Sequence, residues 1–145
     1  MKTKKLKVQV WIFCRNPREG GIYFLVLLTL PQRGQFWQPV TGSVDDGEST
    51  EAAALREAQE ESGLKFLGSP VRVGEPFEFE SRGKQVREFG YLLEAQMDGG
   101  KLPKVVVDGH EHMDYRWVNS SEAAKMIAFP SNLQMLNLVL TKLHG

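Results

Sequence analysis

The stretch from Gly42 to Leu64 reads GSVDDGESTEAAALREAQEESGL, and the interpretation of the whole chain starts from it. Within it, Glu60 and Glu61 follow Glu57 by three and four residues. On a helix, residues with that spacing share one face. Like charges on one face repel each other, and a bound divalent cation relieves that repulsion. Because Mg²⁺ prefers hard carboxylate oxygens, the pattern predicts a metal platform for phosphate chemistry.

Local signals predict that this stretch forms a helix. Ser49 and Thr50 are suited to cap its start, and its alanine-rich centre has high helix propensity. Gly63 can end a helix in the left-handed conformation. Ahead of the helix, Gly42 would allow the backbone to approach an ion closely, so its carbonyl could supply a metal ligand.

Solvated surface is the alternative interpretation of the acidic residues, because acidic helix faces usually carry no ligand. Such faces are often paired with Lys or Arg four residues later. Neither Glu57 nor Glu60 has a cation three or four residues further along the chain. The joint placement of the acids therefore favours the metal site.

The same residues resemble the Nudix box, the signature of the Nudix hydrolase family. That signature is Gly, five residues, Glu, seven residues, Arg-Glu, an aliphatic, any residue, Glu-Glu, any residue, Gly and an aliphatic. Every fixed position is matched, by Gly42, Glu48, Arg56, Glu57, Glu60, Glu61, Gly63 and Leu64. Ala58 is smaller than the aliphatic usual in the family, which should affect packing rather than catalysis. A signature of this length is a specific signal.

The resemblance implies an α/β fold, a Nudix-type α/β/α sandwich with a mixed β-sheet. It implies an enzyme that hydrolyses a nucleoside diphosphate linked to another group, with Mg²⁺ or Mn²⁺ as cofactor and two or more ions when substrate is bound. The metal-holding groups implied are Glu57, Glu60, Glu61 and the carbonyl of Gly42. Arg56 is implied to pair with Glu48 or a neighbouring acid and so brace the loop.

Length and composition narrow the class of protein. The chain has 145 residues, which fits one domain over 1–145 with a core of its own. Lys plus Arg equal Asp plus Glu at 18 each, which argues against a broad nucleic-acid surface but not against a site that grips one 5′ end. The single cysteine, Cys14, lies in an apolar run and is expected to be a buried thiol. No apolar run reaches membrane-spanning length, so we expect a cytoplasmic protein with no membrane contact.

Patterns along the chain predict interleaved strands and helices, which favours a layered α/β domain. Extended segments are predicted at 8–14, 22–30, 36–40, 71–73, 76–80, 86–96 and 115–118. Turns are expected at 16–21, 81–84 and 98–100. A short helix capped by residues 120–122 is predicted to reach about residue 128, and a last helix runs from 132 to about 143.

Glu111 lies in the stretch HEHMDYRW, which begins at His110. Nudix enzymes often carry a glutamate in a loop ahead of an aromatic-rich strand, and this stretch resembles that element. Glu111 is therefore predicted to be a metal ligand or the general base, with Glu60 and Glu61 as rival bases. For His110 and His112, surface positions are expected rather than a transition-metal site.

Candidate substrate-binding residues lie outside the signature. The resemblance implies that Arg33 binds phosphates, for which a planar guanidinium is suited. Phe36 and Trp37 could stack on a base, and one of the two is expected to lie in the core. Phe129 and Asn132, which flank Pro130 ahead of the last helix, are candidates for a base pocket.

The substrate is inferred from two further resemblances. The stretch from Phe36 to Val44 and the pattern from Glu111 to Trp117 resemble the branch that hydrolyses dihydroneopterin triphosphate and dATP. RNA 5′-pyrophosphohydrolases and dinucleoside polyphosphate hydrolases usually have Pro-Lys-Gly where this chain has Val-Thr-Gly at 40–42, which counts against them. The leading prediction is removal of pyrophosphate from a nucleoside 5′-triphosphate-type small molecule, which leaves the monophosphate.

Two alternatives stay open. One is the same cut at the 5′ end of triphosphorylated RNA, which the basic hairpin of Arg82, Lys84 and Arg87 could contact, although a solvated face is the simpler interpretation of that hairpin. The other is a catalytically silent Nudix module that senses a nucleotide. Base preference, the choice of general base and the oligomeric state, a homodimer included, are left undecided by the sequence.

Overall fold

Strand β1 (Lys5–Arg15) is the centre of the sheet, and its side chains alternate between two cores. A computed structural model describes residues 4–16, 18 and 20–144. Val8, Val10 and Ile12 lie in one apolar cluster, while Trp11 and Phe13 lie in the other. Because both faces of β1 are covered, its sequence is a nearly continuous apolar run and does not alternate between apolar and polar residues.

Six further strands complete a mixed sheet in the described residues. They are β2 (Ile22–Thr29), β3 (Trp37–Gln38), β4 (Val40–Ser43), β5 (Phe66–Ser81), β6 (Lys84–Ala95) and β7 (His112–Val118). The order is β3-β2-β1-β6-β5, with β4 paired to β1 and β7 paired to β2. Strands β1 and β6 are parallel, and the other pairs are antiparallel.

Three helices cover the two faces of the sheet. Helix α1 (Thr50–Ser62) packs Ala53, Ala54 and Ala58 on the first cluster. Helices α2 (Ser120–Met126) and α3 (Pro130–His144) pack on the second cluster. The predicted α/β/α sandwich with a mixed sheet is confirmed. In the described part of the chain, none of these helices is both long and apolar enough to cross a membrane.

The pairing of β1 and β2 brings distant segments to one edge of the sheet. The first half of β1 pairs with β4, so that Val8 lies opposite Gly42. Strand β2 pairs with β7, with Thr29 opposite His112, and the amide of Leu30 donates to the carbonyl of Glu111 at 3.1 Å. Glu111 and His112 come almost fifty residues after the end of helix α1 in the sequence, and this pairing places them beside that helix.

The middle of the chain differs from the sequence prediction. The segments predicted at 71–73 and 76–80 form one strand, β5, which starts at Phe66. Gly68 and Gly74 have positive φ and lie within two register shifts against β6. They bend the strand without ending it, as bulge residues do.

The segment predicted at 36–40 divides into β3 and β4, which pair with β2 and β1 respectively. The remaining boundaries lie within a few residues of those predicted. Asn119, rather than Ser120, caps helix α2, because its side chain accepts from the amide of Glu122. Helix α2 ends at Met126, and α3 starts at Pro130, two residues before the predicted position. The hairpin turn at 81–84 is confirmed. The turn at 16–21 is closed by hydrogen bonds between Asn16 and the two glycines at 20 and 21, while its residues 17 and 19 lie outside the described residues.

Gly90 in β6 sets how closely α3 approaches the sheet. A Cβ atom there would overlap the side chain of Met135, which is fully buried and cannot swing into solvent. We expect Gly90→Ala to lower the free energy of unfolding by about 1–3 kcal/mol, as overpacking does. Urea denaturation measures this, with Gly109→Ala as the control because a Cβ at Gly109 meets no atom within 4 Å. Equal effects of the two substitutions would contradict the packing argument.

Candidate active site

The guanidinium of Arg56 ties the loop before helix α1 to the helix itself. Its Nε donates to Oε2 of Glu48 at 2.8 Å and its Nη2 donates to Oε1 at 3.0 Å, a bidentate pair. Nη2 also donates to the carbonyl of Ser43 at 2.9 Å, and Nη1 donates to Glu57 at 3.0 Å. The pairing with Glu48 implied by the resemblance is present, and it holds the pKa of Glu48 below its usual value.

Glu57 lies against the backbone of Gly42. A Cβ atom at Gly42 would overlap the Glu57 carboxylate, so only glycine leaves room for this side chain. Burial raises the pKa of Glu57, while its hydrogen bond from Arg56 opposes that effect. The structure thus brings Glu57 together with Gly42, whose carbonyl is predicted to be a metal ligand.

Glu61 is the most deeply buried acid of the cluster, with 1% of its surface exposed. Neither of its carboxylate oxygens has a hydrogen-bond partner among the described residues. Burial, followed by the neighbouring Glu111, raises its pKa to about 10. A carboxyl group held in this way is costly to ionise unless a cation compensates its charge.

His112 is buried as well, so the predicted surface position is wrong. It is 1% exposed because it opens strand β7 and pairs across to Thr29 on β2. Its Nδ1 lies 3.9 Å from Oε1 of Glu61 and has no hydrogen-bond partner in the described part of the chain. Its Nε2 lies 3.1 Å from Nε2 of Gln38. His110, in contrast, is exposed as expected.

Glu111 completes a set of three potential ligands. One ligand atom each from Glu61, Glu111 and His112 lie within 4.8 Å of one another. The contact with Glu61 and the charge of Arg33, 3.4 Å from Oε1 of Glu111, lower the pKa of Glu111. The buried, unpartnered oxygens of Glu61 and nitrogen of His112, together with the partly exposed carboxylate of Glu111, fit a divalent cation. The predominance of oxygen suits Mg²⁺ or Mn²⁺.

Glu60 lies apart from these groups. Its side chain is 54% exposed and faces Nη1 of Arg56 at 3.3 Å from the solvent side. The three glutamates predicted to share one face therefore do not do so: Glu57 and Glu61 turn inward, whereas Glu60 faces solvent. Glu60 would reach an ion only from the open side of the site, and its role as a ligand stays a prediction.

A cleft of about 1030 Å³ lies between the second face of the sheet and the start of α3, and none of the acids described above lines it. It is lined by four of the predicted substrate-binding residues, Arg33, Phe36, Phe129 and Asn132. The rings of Phe36 and Phe129 meet edge to face, with centroids 4.8 Å apart. Arg33 joins the cleft to the acidic cluster, because it lines the former and pairs with Glu111.

Trp37 does not line this cleft. It packs on the second apolar cluster, and the guanidinium of Arg116 lies 5.3 Å from its ring centroid. Phe36 and Trp37 therefore divide between the cleft and the core, as consecutive residues of an extended segment do. Stacking of a base on Trp37 would require a rearrangement, whereas Phe36 is available.

Sequence reasoning missed Glu88, which lies in the cleft although it is only 5% exposed. A signal was available in the sequence. Glu88 shares one face of β6 with Val86, Gly90 and Leu92, because residues two apart in a strand point to the same side. A charged residue therefore occupies an inward position of a buried strand.

Residues 5–138 match the NUDIX domain. The chain belongs to the NUDIX family. Among its relatives, the octanoyltransferase of Myxococcus xanthus is 33% identical over 107 residues, which are 72% of this chain but only 29% of that protein. The asymmetrical bis(5′-nucleosyl)-tetraphosphatase of Rattus norvegicus is 32% identical over 64% of this chain and 62% of that protein. The dihydroneopterin triphosphate diphosphatase of Escherichia coli K12 is 28% identical over 70% of this chain and 72% of that protein.

Solved structures confirm the Nudix fold. A C. elegans Ap4A hydrolase in a binary complex superposes with a TM-score of 0.77 at 24% identity, over 97% of this chain and 98% of that one. That the chain forms a single domain over 1–145 stays a prediction.

Glu61 should make the stability of the metal-free protein fall as the pH rises. Its pKa is raised from 4.5 to about 10, so the folded chain keeps a proton that the unfolded chain releases. This stabilisation is complete below the unfolded pKa and is lost as the pH rises toward the folded pKa. Between about pH 7 and about pH 8.5 the free energy of unfolding in EDTA should fall by up to about 1.4 kcal/mol per pH unit. In urea denaturation, the free energy of unfolding should depend less steeply on pH for Glu61→Gln than for the wild type. Glu51→Gln, at an exposed position, should keep the wild-type slope. Equal slopes for the wild type and Glu61→Gln would refute the assignment.

Proposed function

We propose that this chain is a metal-dependent Nudix pyrophosphohydrolase. It would cleave a phosphoanhydride bond of a nucleoside 5′-triphosphate-type substrate, a (d)NTP or dihydroneopterin triphosphate, and release the monophosphate and pyrophosphate. The observation that carries the proposal is the convergence of the unpartnered, buried groups of Glu61 and His112 on Glu111. A proton shared between Glu61 and Glu111 would satisfy that pair, but it would leave Nδ1 of His112 without a partner among the described residues, whereas a bound cation would serve all three groups.

In this proposal, Glu57, Glu61, Glu111 and the carbonyl of Gly42 hold Mg²⁺ or Mn²⁺, with Glu60 reaching in from the solvent side. Nδ1 of His112, which converges with Glu61 and Glu111, is a further candidate ligand. When bound, the metal offsets charge on the phosphates and lowers the pKa of a water molecule. Arg56 keeps the loop and Glu57 in place, since it bonds Ser43, Glu48 and Glu57 together.

The remaining groups bind substrate and take up a proton. Arg33, at the junction of the cleft and the acids, can bind phosphate oxygens bidentately. A carboxylate receives the proton of the attacking water, and Glu60, Glu61 and Glu111 are the candidates. Glu111 is only partly buried and lies between the inner acids and Arg33, which favours it among the three.

The cleft and the named relatives support a nucleotide-like substrate. Aromatic rings and a buried amide suit a heterocycle, and Arg33 links the cleft to Glu111 of the acidic cluster. Relatives named for dihydroneopterin triphosphate and for bis(5′-nucleosyl) tetraphosphate both point to a ring that carries a polyphosphate. A cytoplasmic location is part of the proposal, since such metabolites are soluble.

The two alternatives have less support. Of the basic hairpin, Arg82 lines the cleft, whereas Arg87 is paired with Glu78 at 2.8 Å, which reduces the charge available to an RNA strand. A silent sensor would have no need for the buried acids to remain unpartnered. The RNA end, the sensor and the homodimer stay untested predictions.

Replacement of Glu57 by Gln should abolish most activity and leave the fold intact. The amide keeps the shape of the side chain but removes its charge, so we expect the rate of Mg²⁺-dependent pyrophosphate release from dGTP and dATP to fall about a hundredfold or more. Glu51→Gln, on the exposed first turn of the same helix, is the matched control. The proposal fails if Glu57→Gln retains wild-type turnover, or if the wild type releases no pyrophosphate from dGTP, from dATP or from dihydroneopterin triphosphate.

A further inference from the structure

The floor of the cleft holds a buried carboxylate that the proposed hydrolysis does not use. Glu88 is 5% exposed and accepts a hydrogen bond at Oε1 from Nε2 of Gln9, at 2.9 Å. Gln9 is itself fully buried, and its Oε1 accepts from Nε1 of Trp11 at 2.8 Å. The indole thus fixes the orientation of the Gln9 amide, and the amide fixes the carboxylate.

The second oxygen of Glu88 is free for a ligand. No hydrogen bond to Oε2 is formed by any residue that the structure describes, and the side chain lines the cleft. Burial raises the pKa of Glu88, while the hydrogen bond from Gln9 and the charge of Lys7 oppose that effect. Lys7 lies directly opposite Glu88 in the parallel β1–β6 register and lines the same cleft. N–H donors on a molecule in the cleft would add to the groups that favour the ionised form of Glu88.

The surroundings of Glu88 indicate the kind of donor. Phe36 and Phe129 offer aromatic surface for a flat ring, and the nearly buried Asn132 offers an amide that both donates and accepts. A flat ring that meets a carboxylate edge-on binds best when it presents two adjacent N–H donors. An adenine edge instead presents a ring acceptor next to its amino group, which a carboxylate repels.

We propose that Glu88 determines specificity in this cleft by binding the 2-amino-4-oxopyrimidine edge shared by guanine and pterin rings. The ring N–H and the 2-amino group of that edge donate side by side to the carboxylate, and Gln9 is the positioning residue. The inference rests on the proposed function for the assignment of the cleft to a substrate ring, but it concerns recognition of the ring rather than cleavage.

Binding of monophosphates in EDTA tests the inference apart from hydrolysis. Calorimetry with GMP, IMP and AMP on the wild type should give the order GMP, then IMP, then AMP, because IMP lacks the 2-amino group and AMP lacks both donors of the edge. We expect about ten- to hundredfold between GMP and AMP, the size of one good bidentate contact. Neopterin monophosphate distinguishes the two candidate rings. If it binds more tightly than GMP, the preferred ligand is a pterin; if it binds more weakly, the preferred ligand is a guanine nucleotide.

The variant Glu88→Gln should lose about ten- to hundredfold in affinity for GMP and leave AMP binding unchanged. The control is Glu80→Gln, an exposed carboxylate of the neighbouring strand β5 that does not line the cleft. Wild-type protein that binds GMP no better than AMP overturns the inference, as does a folded Glu88→Gln that keeps the preference for GMP. If Glu88→Gln does not fold, the order in which the wild type binds GMP, IMP and AMP tests the inference. A protein that prefers GMP but releases no pyrophosphate would refute the proposed hydrolysis and leave this inference standing.

Discussion

The hydrogen bonds of Arg56 are the constraint on which the rest of the site depends. The segment from Asp45 to Glu61 is acidic, and without a fixed cation its carboxylates would repel one another. A guanidinium has five donors in a rigid plane, and here they hold the Glu48 carboxylate, the Ser43 carbonyl and Glu57. Lysine could neutralise the same charge but could not fix three acceptors in one plane.

Around that contact, the sheet assembles the site from segments far apart in sequence. Strand β1 pairs with β4 through its first half and with β2 through its second half. The first pairing places Gly42 beneath Glu57, and β2 in turn carries β7, which brings Glu111 and His112 beside Glu61. The acids of helix α1 are therefore completed by residues that only the tertiary fold can deliver.

The sequence predicts the parts of this arrangement that depend on local signals. Ser49 and Gly63 mark the ends of helix α1 because a cap and a left-handed glycine act within a few residues. The burial of His112 and Glu88 was missed because it depends on strand pairing and on the cover given by α3. Likewise, the division of Glu60 from Glu57 and Glu61 depends on which side of the helix meets the sheet, which spacing alone does not determine.

Manganese binding tests the central claim most directly, namely that the carboxylates held around Arg56 exist to bind a divalent cation. The wild-type protein would be titrated with Mn²⁺ while electron paramagnetic resonance follows the free ion, first alone and then with dGTP. The account predicts saturable binding that Mg²⁺ displaces and that dGTP strengthens. A signal that stays that of free Mn²⁺ throughout, with and without the nucleotide, would contradict it.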